Sequence, residues 1–190
     1  MLLQPTAKPA CSCAKSEDKV PLKSHRSGSR KRNRCFDKMI GQQGGLPWFH
    51  EGLRFQCTGC GRCCSGGPGF VWVSAEEIHC LAQHLNMSVE QFQACYLRTV
   101  GDRWSLVERA NGDCIFLHPQ TRRCQVYPAR PKQCRSWPFW LTNLRSPADW
   151  EYVCRICPGS GHGRLFSLDQ ILSMLWWSGL EKDVSPPTEG

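Results

Sequence analysis

Residues 57–64 read Cys57-Thr58-Gly59-Cys60-Gly61-Arg62-Cys63-Cys64, followed by Ser65, Gly66 and Gly67. A metal centre needs several thiolates converging on one point, and two-residue spacers let a tight loop turn its sulfurs inward. Glycine supplies the backbone angles such a loop demands. Cys57, Cys60 and Cys63 match the first three positions of the C-x2-C-x2-C run that wraps one face of a [4Fe–4S] cluster. Cys64 departs from that run. Neighbouring side chains on extended backbone point to opposite sides, so Cys63 and Cys64 are expected to serve different centres. Working outward, four more cysteines fall in loop-like settings. Cys114 follows Asn111-Gly112-Asp113, Cys124 ends a polar turn, Cys134 closes a Pro- and Arg-rich stretch, and Cys157 opens Cys157-Pro158-Gly159. Eight thiolates suffice for two four-coordinate sites. The expected partition is Cys57, Cys60, Cys63 and Cys157 at one site, and Cys64, Cys114, Cys124 and Cys134 at the other.

The whole chain has 190 residues, 14 cysteines and a formal charge of +8. No apolar run approaches the roughly 20 residues of a membrane-spanning helix. The best stretch, residues 165–180, is interrupted by Asp169, Gln170 and Ser173. No apolar block of a secretory signal stands near the N-terminus. The expectation is a cytoplasmic protein without a membrane span, where abundant cysteine argues for metal ligation rather than disulfides. Charge is unevenly spread: residues 1–50 hold ten basic and three acidic side chains, and the rest is nearly balanced. Residues 1–45 therefore read as a disordered basic tail, whose residues 24–34 could touch nucleic acid or anionic lipid but read better as a solvated charge run. Residues 46–180 form the cysteine-cluster domain and residues 181–190 a flexible C-terminus. Met39 is a candidate translation start, which would remove Cys11, Cys13 and Cys35.

Local signals build an α+β domain. Phe70-Val71-Trp72-Val73 is a short β-like run. Ser74-Ala75-Glu76-Glu77 is a capping box, followed by Ile78, Leu81, Ala82 and Leu85 at helical spacing. Ser88-Val89-Glu90-Gln91 opens a second helix with Phe92, Cys95 and Tyr96 on one side. Residues 103–109 and 114–117 are β-like, and Asn111-Gly112 between them predicts a hairpin through a type I′ turn. Ser167-Leu168-Asp169-Gln170 caps a last helix that turns Leu168, Ile171, Leu172, Leu175 and Trp176 inward. Without a βαβ rhythm these elements predict a small α+β, cysteine-rich, metal-binding domain with short strands, a hairpin and about three helices. Cys80 and Cys95 read as packed or surface thiols, and Cys154, in a C-x2-C pair with Cys157, reads as structural rather than as a ligand. His79 and His84 do not share a helix face well, and His118 and His162 are only secondary ligand candidates.

These residues together resemble the YkgJ-type cysteine-cluster family, a zinc- or iron-chelating domain. The resemblance rests on Cys57-x2-Cys60-x2-Cys63-Cys64, Gly112-Asp113-Cys114-Ile115-Phe116-Leu117 and Cys124-Gln125-Val126-Tyr127. Arg130-Pro131-Lys132-Gln133-Cys134-Arg135, Trp137-Pro138-Phe139 and Cys157-Pro158-Gly159 complete it, so that it spans residues 55–165. It implies that the eight cysteines are the metal ligands, and it relates the chain to the flagellin lysine N-methylases without implying methylation here. Three functions compete. The first is an iron–sulfur or iron protein acting in electron transfer, metal handling or support of an unknown partner enzyme. The second is a structural zinc module binding nucleic acid or protein, and the third a methyl-transfer enzyme. No nucleotide loop, Ser–His–Asp setting or H-E-x-x-H motif is present. Arg62, Arg122, Arg123, Arg130, Arg135 and Arg155, with Trp72, Trp104 and Trp137, are the residues a nucleic-acid surface would use. The arginines beside cysteines read better as counter-ions, because a four-thiolate site around a divalent ion carries about −2.

Overall fold

The computed structural model describes residues 45–67 and 69–177. The basic tail with Cys11, Cys13 and Cys35, the C-terminal residues 181–190 and the side chain of Trp176 lie outside the described residues. Among the described residues no helix is long and apolar enough to cross a membrane.

The architecture is α+β, with two small antiparallel sheets and five α-helices among the described residues. Strand β1 (Leu53–Phe55) pairs with β5 (Arg164–Phe166), Leu53 opposite Phe166 and Phe55 opposite Arg164. The second sheet runs β2 (Trp72–Val73), β4 (Arg103–Leu106), β3 (Leu97–Val100). Helix α1 (Ala75–His84) and helix α2 (Val89–Tyr96) start where their capping boxes predict. Ser74 and Ser88 accept the amide protons of Glu77 and Gln91, whose side chains accept the cap amides in return. The last helix, α5 (Leu168–Trp177), starts at the Ser167 box, with Gln170 Oε1 accepting the Ser167 N–H at 3.0 Å. It buries Ile171 and Leu175 as expected.

Three expectations are corrected. The hairpin is not 103–109 with 114–117. Strand β4 pairs instead with β3, Thr99 opposite Trp104, through a turn at Gly101, whose φ is +59°. The Asn111-Gly112 turn does form, Gly112 N–H donating to the Arg109 carbonyl, but it closes only an isolated bridge between Glu108 and Cys114. Two helices were not anticipated, α3 (Lys132–Ser136) and α4 (Pro147–Ile156). On α2, Phe92 is buried while Cys95 faces solvent, because that helix turns directly into β3 and packs only one narrow side.

Apolar burial divides into two cores. One gathers Phe49, Leu53, Phe139, Trp150, Phe166 and Ile171 around the β1–β5 ribbon. The other gathers Val73, Leu81, Phe92, Leu106, Phe116 and Val126 between the three-stranded sheet and helices α1 and α2. The cysteine loop leaves the first core at the end of β1 and reaches the second.

Candidate metal centre

Beyond β1 the chain is held to the first core by the Gln56 N–H, which donates to the Gly159 carbonyl at 3.0 Å. It then passes through two left-handed glycines, Gly59 at φ +69° and Gly61 at φ +71°. Gly61 leads into a single 3-10 turn, Arg62–Cys64, closed by the Cys64 N–H donating to the Gly61 carbonyl at 3.0 Å. A Cβ on Gly61 would strike the carbonyl oxygen of Arg122, so the loop packs against the Arg122 backbone only because this residue has no side chain. The Cys64 carbonyl accepts the Cys114 N–H at 2.8 Å, tying the first four cysteines to the next segment.

That segment is pinned by arginines. Arg109 donates to the carbonyls of Leu117 (2.5 Å) and Ile115 (2.8 Å). Arg122 grips the buried Asp113 carboxylate with both terminal nitrogens, at 2.5 and 3.1 Å. The contact holds the Asp113 carboxyl below the usual carboxylate range. A turn bridging Leu117 and Cys124 carries Cys124 back toward Cys114, and α3 carries Cys134.

Cys57, Cys63, Cys64, Cys114, Cys124 and Cys134 thereby line a single cavity of about 50 Å³, together with Tyr127 and Arg130. Cys60 is half-buried but not on this wall. Cys157 is buried in the first core with Phe139 and Val153, and Cys154 packs against that core. The expected partition rested on extended backbone at Cys63 and Cys64. Their 3-10 turn instead brings the two sulfurs to 3.8 Å on the same cavity.

The electrostatics are those of crowded, largely buried thiols. The Cys63 thiol is lowered to about 7 by the hydrogen bond from Cys64, helped by Arg130 against the effect of burial. Cys64 is pushed up as the partner that keeps the shared proton. Burial pushes Cys114, Cys124 and Cys134 up, and the charge of Cys63 adds to it in all three. A divalent ion reverses this balance by favouring the thiolates. In donor chemistry the cavity fits zinc or iron. A tetrahedral ion with sulfurs at about 2.3 Å has sulfur–sulfur edges of about 3.8 Å, the Cys63–Cys64 separation. Among the described residues no group of three or more His, Cys, Asp or Glu side chains is placed to hold a metal ion. Histidine adds nothing here: His118 Nδ1 accepts the Thr121 N–H and His162 is exposed.

Two wall residues went unread as such in the sequence. Burial, and after it the neighbouring Cys57 thiol, raises the Tyr127 phenol. Arg130 stacks over the Tyr127 ring at 3.5 Å, and its Nε is buried without a partner. The signal was the Tyr127-Pro128-Ala129-Arg130-Pro131 stretch between two cysteines. Of the other arginines, Arg62 donates to the Ile156 carbonyl and Arg155 lies over Tyr152.

Fold and site define a small α+β domain built around a thiol-lined cavity. The chain belongs to the CxxCxxCC family, whose model, described as "Putative zinc- or iron-chelating domain", matches residues 56–158. An uncharacterized protein of Methanocaldococcus jannaschii is 27% identical over 91 residues, 48% of this chain and 48% of its own length. The chain thus spans about half of that relative. No solved structure matches at a significant level.

Proposed function

We propose that the protein holds zinc or iron as individual thiolate-bound ions in the cavity of Cys57, Cys63, Cys64, Cys114, Cys124 and Cys134. The observation that carries this reading is the gathering of six thiols, from three separate segments, on one cavity wall. Six thiolates exceed the four that one tetrahedral ion takes, which favours two ions sharing sulfurs. A bound ion supplies a Lewis-acidic, thiolate-stabilising charge. Arg130 offsets the negative shell, and Tyr127 stands beside Cys57.

A second reading keeps the [4Fe–4S] cluster, with Cys60 and Cys157 recruited to complete the eight-cysteine set. Its support is the Cys57-x2-Cys60-x2-Cys63 spacing. Cytoplasmic placement and a role in metal handling or in supporting a partner enzyme accompany either reading. Anaerobic purification of the full chain, with metal and acid-labile sulfide analysis, separates them. Zinc or iron without sulfide, lost in Cys64→Ser and Cys114→Ser but retained in Cys60→Ser, supports individual ions. Iron with equimolar sulfide, lost in Cys60→Ser, supports the cluster. A chain purified without either metal, and unable to take one up, refutes both.

A further inference from the structure

Cys63 and Cys64 bring their sulfurs within 3.8 Å, one thiol donating its proton to the other. Their 3-10 turn sets this contact. Cys63 is exposed and Cys64 half-buried. A second cavity, of about 260 Å³, leads to both sulfurs. Its rim includes the exposed Gly67 and Phe70, which leaves it reachable from solvent, and Trp137 and Trp140 extend its aromatic wall.

The other polar groups along this cavity already have partners. Glu108 accepts the Gly69 N–H at 2.9 Å through one oxygen and Arg98 at 3.3 Å through the other. Gln133 accepts the Trp72 N–H at 2.9 Å and donates to the Phe70 carbonyl at 2.8 Å. Trp140 Nε1 donates to the Gln133 carbonyl at 3.0 Å. An entering molecule therefore meets aromatic surface and thiols, with its charged wall residue already paired, which suits a small neutral molecule.

Two touching thiols at the end of an open cavity have a chemistry that needs no ion. We propose that Cys63 and Cys64 carry out thiol–disulfide exchange with a small neutral disulfide that enters by this cavity. Such exchange runs through attack of sulfur on sulfur and a mixed disulfide. The Cys63 sulfur attacks one sulfur of the substrate. A bond from Cys63 to the substrate forms, the substrate's own S–S bond breaks, and the departing thiolate takes the proton that Cys63 gives up. Cys64 then attacks Cys63 Sγ, and the second small thiol leaves with the Cys64 proton. Two electrons pass from the protein to the substrate, which ends as two thiols while the chain ends with Cys63 bonded to Cys64. Exposure assigns the first attack to Cys63, and contact assigns the second to Cys64. Neighbouring Cα atoms lie about 3.8 Å apart, below the roughly 4.4 Å at which ordinary disulfides begin. Another thiol therefore reopens the product readily, and the pair turns over instead of locking. This inference goes beyond the metal reading and concerns the chain while these thiols carry no ion.

Gly69 provides a plug. It lines the cavity, its backbone is not left-handed, and a Cβ built on it meets nothing within 4 Å. The experiment mixes reduced full-length protein, as purified and again after chelation of any metal, with one equivalent of dithiodipyridine. Reduction of this probe releases thiopyridone, which is followed by its absorbance. After chelation the proposal expects two thiopyridones per probe, no pyridyl adduct on the chain, and a peptide map in which Cys63 is joined to Cys64. Cys64→Ser should release one thiopyridone and keep the other half of the probe on Cys63. Gly69→Leu should slow the reaction about tenfold, because exchange depends on access. An adduct that the parent chain retains, or that forms first on the exposed Cys95, overturns the proposal. So does a bond between other cysteines, an unchanged rate in Gly69→Leu, or the same rate and product in urea, which would belong to the unfolded chain. Metal analysis before chelation tests the metal reading separately. A chain purified without metal that closes this pair sinks that reading and leaves this one standing, whereas bound metal with no exchange after chelation does the reverse.

Discussion

Gly59 and Gly61 share nearly the same backbone, φ +69° and +71°, and differ in what surrounds them. A Cβ on Gly59 meets nothing within 4 Å, whereas on Gly61 it meets the Arg122 carbonyl and, at 2.8 Å, Leu117 Cδ1. Alanine at either position bears the left-handed cost of about 1–2 kcal/mol. At Gly61 it must also push the Arg122 backbone away, separating Cys63 and Cys64 from Cys114 and Cys124. Gly61→Ala is expected to lose about 3 kcal/mol of unfolding free energy and most bound metal. Gly59→Ala loses only the strain and keeps its metal. Urea titration with metal analysis checks both, and equal losses at the two glycines would contradict the packing argument. At this scale the sequence disclosed residue types well, since thiols and loop glycines announce their chemistry. It did not disclose which thiols meet. Cys63 and Cys64 meet because their backbone is a 3-10 turn. Cys157 falls into the Phe139 core because α4 ends there, its N–H donating to Val153.

Elements were legible where their determinants are local. The boxes at Ser74, Ser88 and Ser167 each place a helix start, because a cap is a bond between residues three apart. Helix α4 carried a similar signal, Ser146 capping Asp149 with Pro147 in the first turn, and it went unread. Helix α3 carries none. Its Lys132 N–H is satisfied by Glu77 of α1 at 2.6 Å, and its Gln133 bonds the backbone of Phe70 and Trp72. The expected 114–117 strand is absent because the Arg109 side chain occupies the Ile115 and Leu117 carbonyls that a ladder would use. Ser74→Ala is expected to cost about 1 kcal/mol, read from the urea midpoint. Its pH dependence has a definite sign. The Ser74 hydroxyl donates to Glu76 at 2.7 Å and lowers that carboxyl. A depressed folded value contributes stability above the unfolded value of about 4.3, and that contribution is lost as pH falls through the folded one. The gap between Ser74→Ala and the parent should therefore narrow in acid. It should not close, since Ser74 still accepts the Glu77 N–H. A gap that widens in acid would refute this assignment.

On the scale of the whole molecule, the family match begins at Gln56, after the basic segment. A chain starting at Met39 is accordingly expected to keep the metal stoichiometry of the full chain. Loss of metal would mean that Cys11, Cys13 or Cys35 takes part.

The two cores make the effect of metal removal uneven. Cys114 and Cys124 pack against the core of Leu81, Phe92 and Phe116, whereas the core of Phe139, Trp150 and Phe166 holds only Cys154 and Cys157, neither on the cavity wall. Ion binding to thiolates contributes directly to folding free energy, and here that contribution falls on the segments that reach the cavity. Without the ion, burial keeps the Cys114, Cys124 and Cys134 thiols protonated, so the cavity loses its cross-link and gains no bond in exchange. Chelation should therefore lower the thermal midpoint and speed hydrogen exchange first at the amides that stitch the cavity together. These are Cys114, which donates to Cys64, Leu117, which donates to Cys114, and Gln125, which donates to Phe116. Amides of the β1–β5 ribbon and of α4 should keep their protection until global unfolding. Exchange that rises equally in both cores would mean that they unfold as one unit. An unchanged midpoint after complete chelation would mean that the cavity holds its shape without a metal.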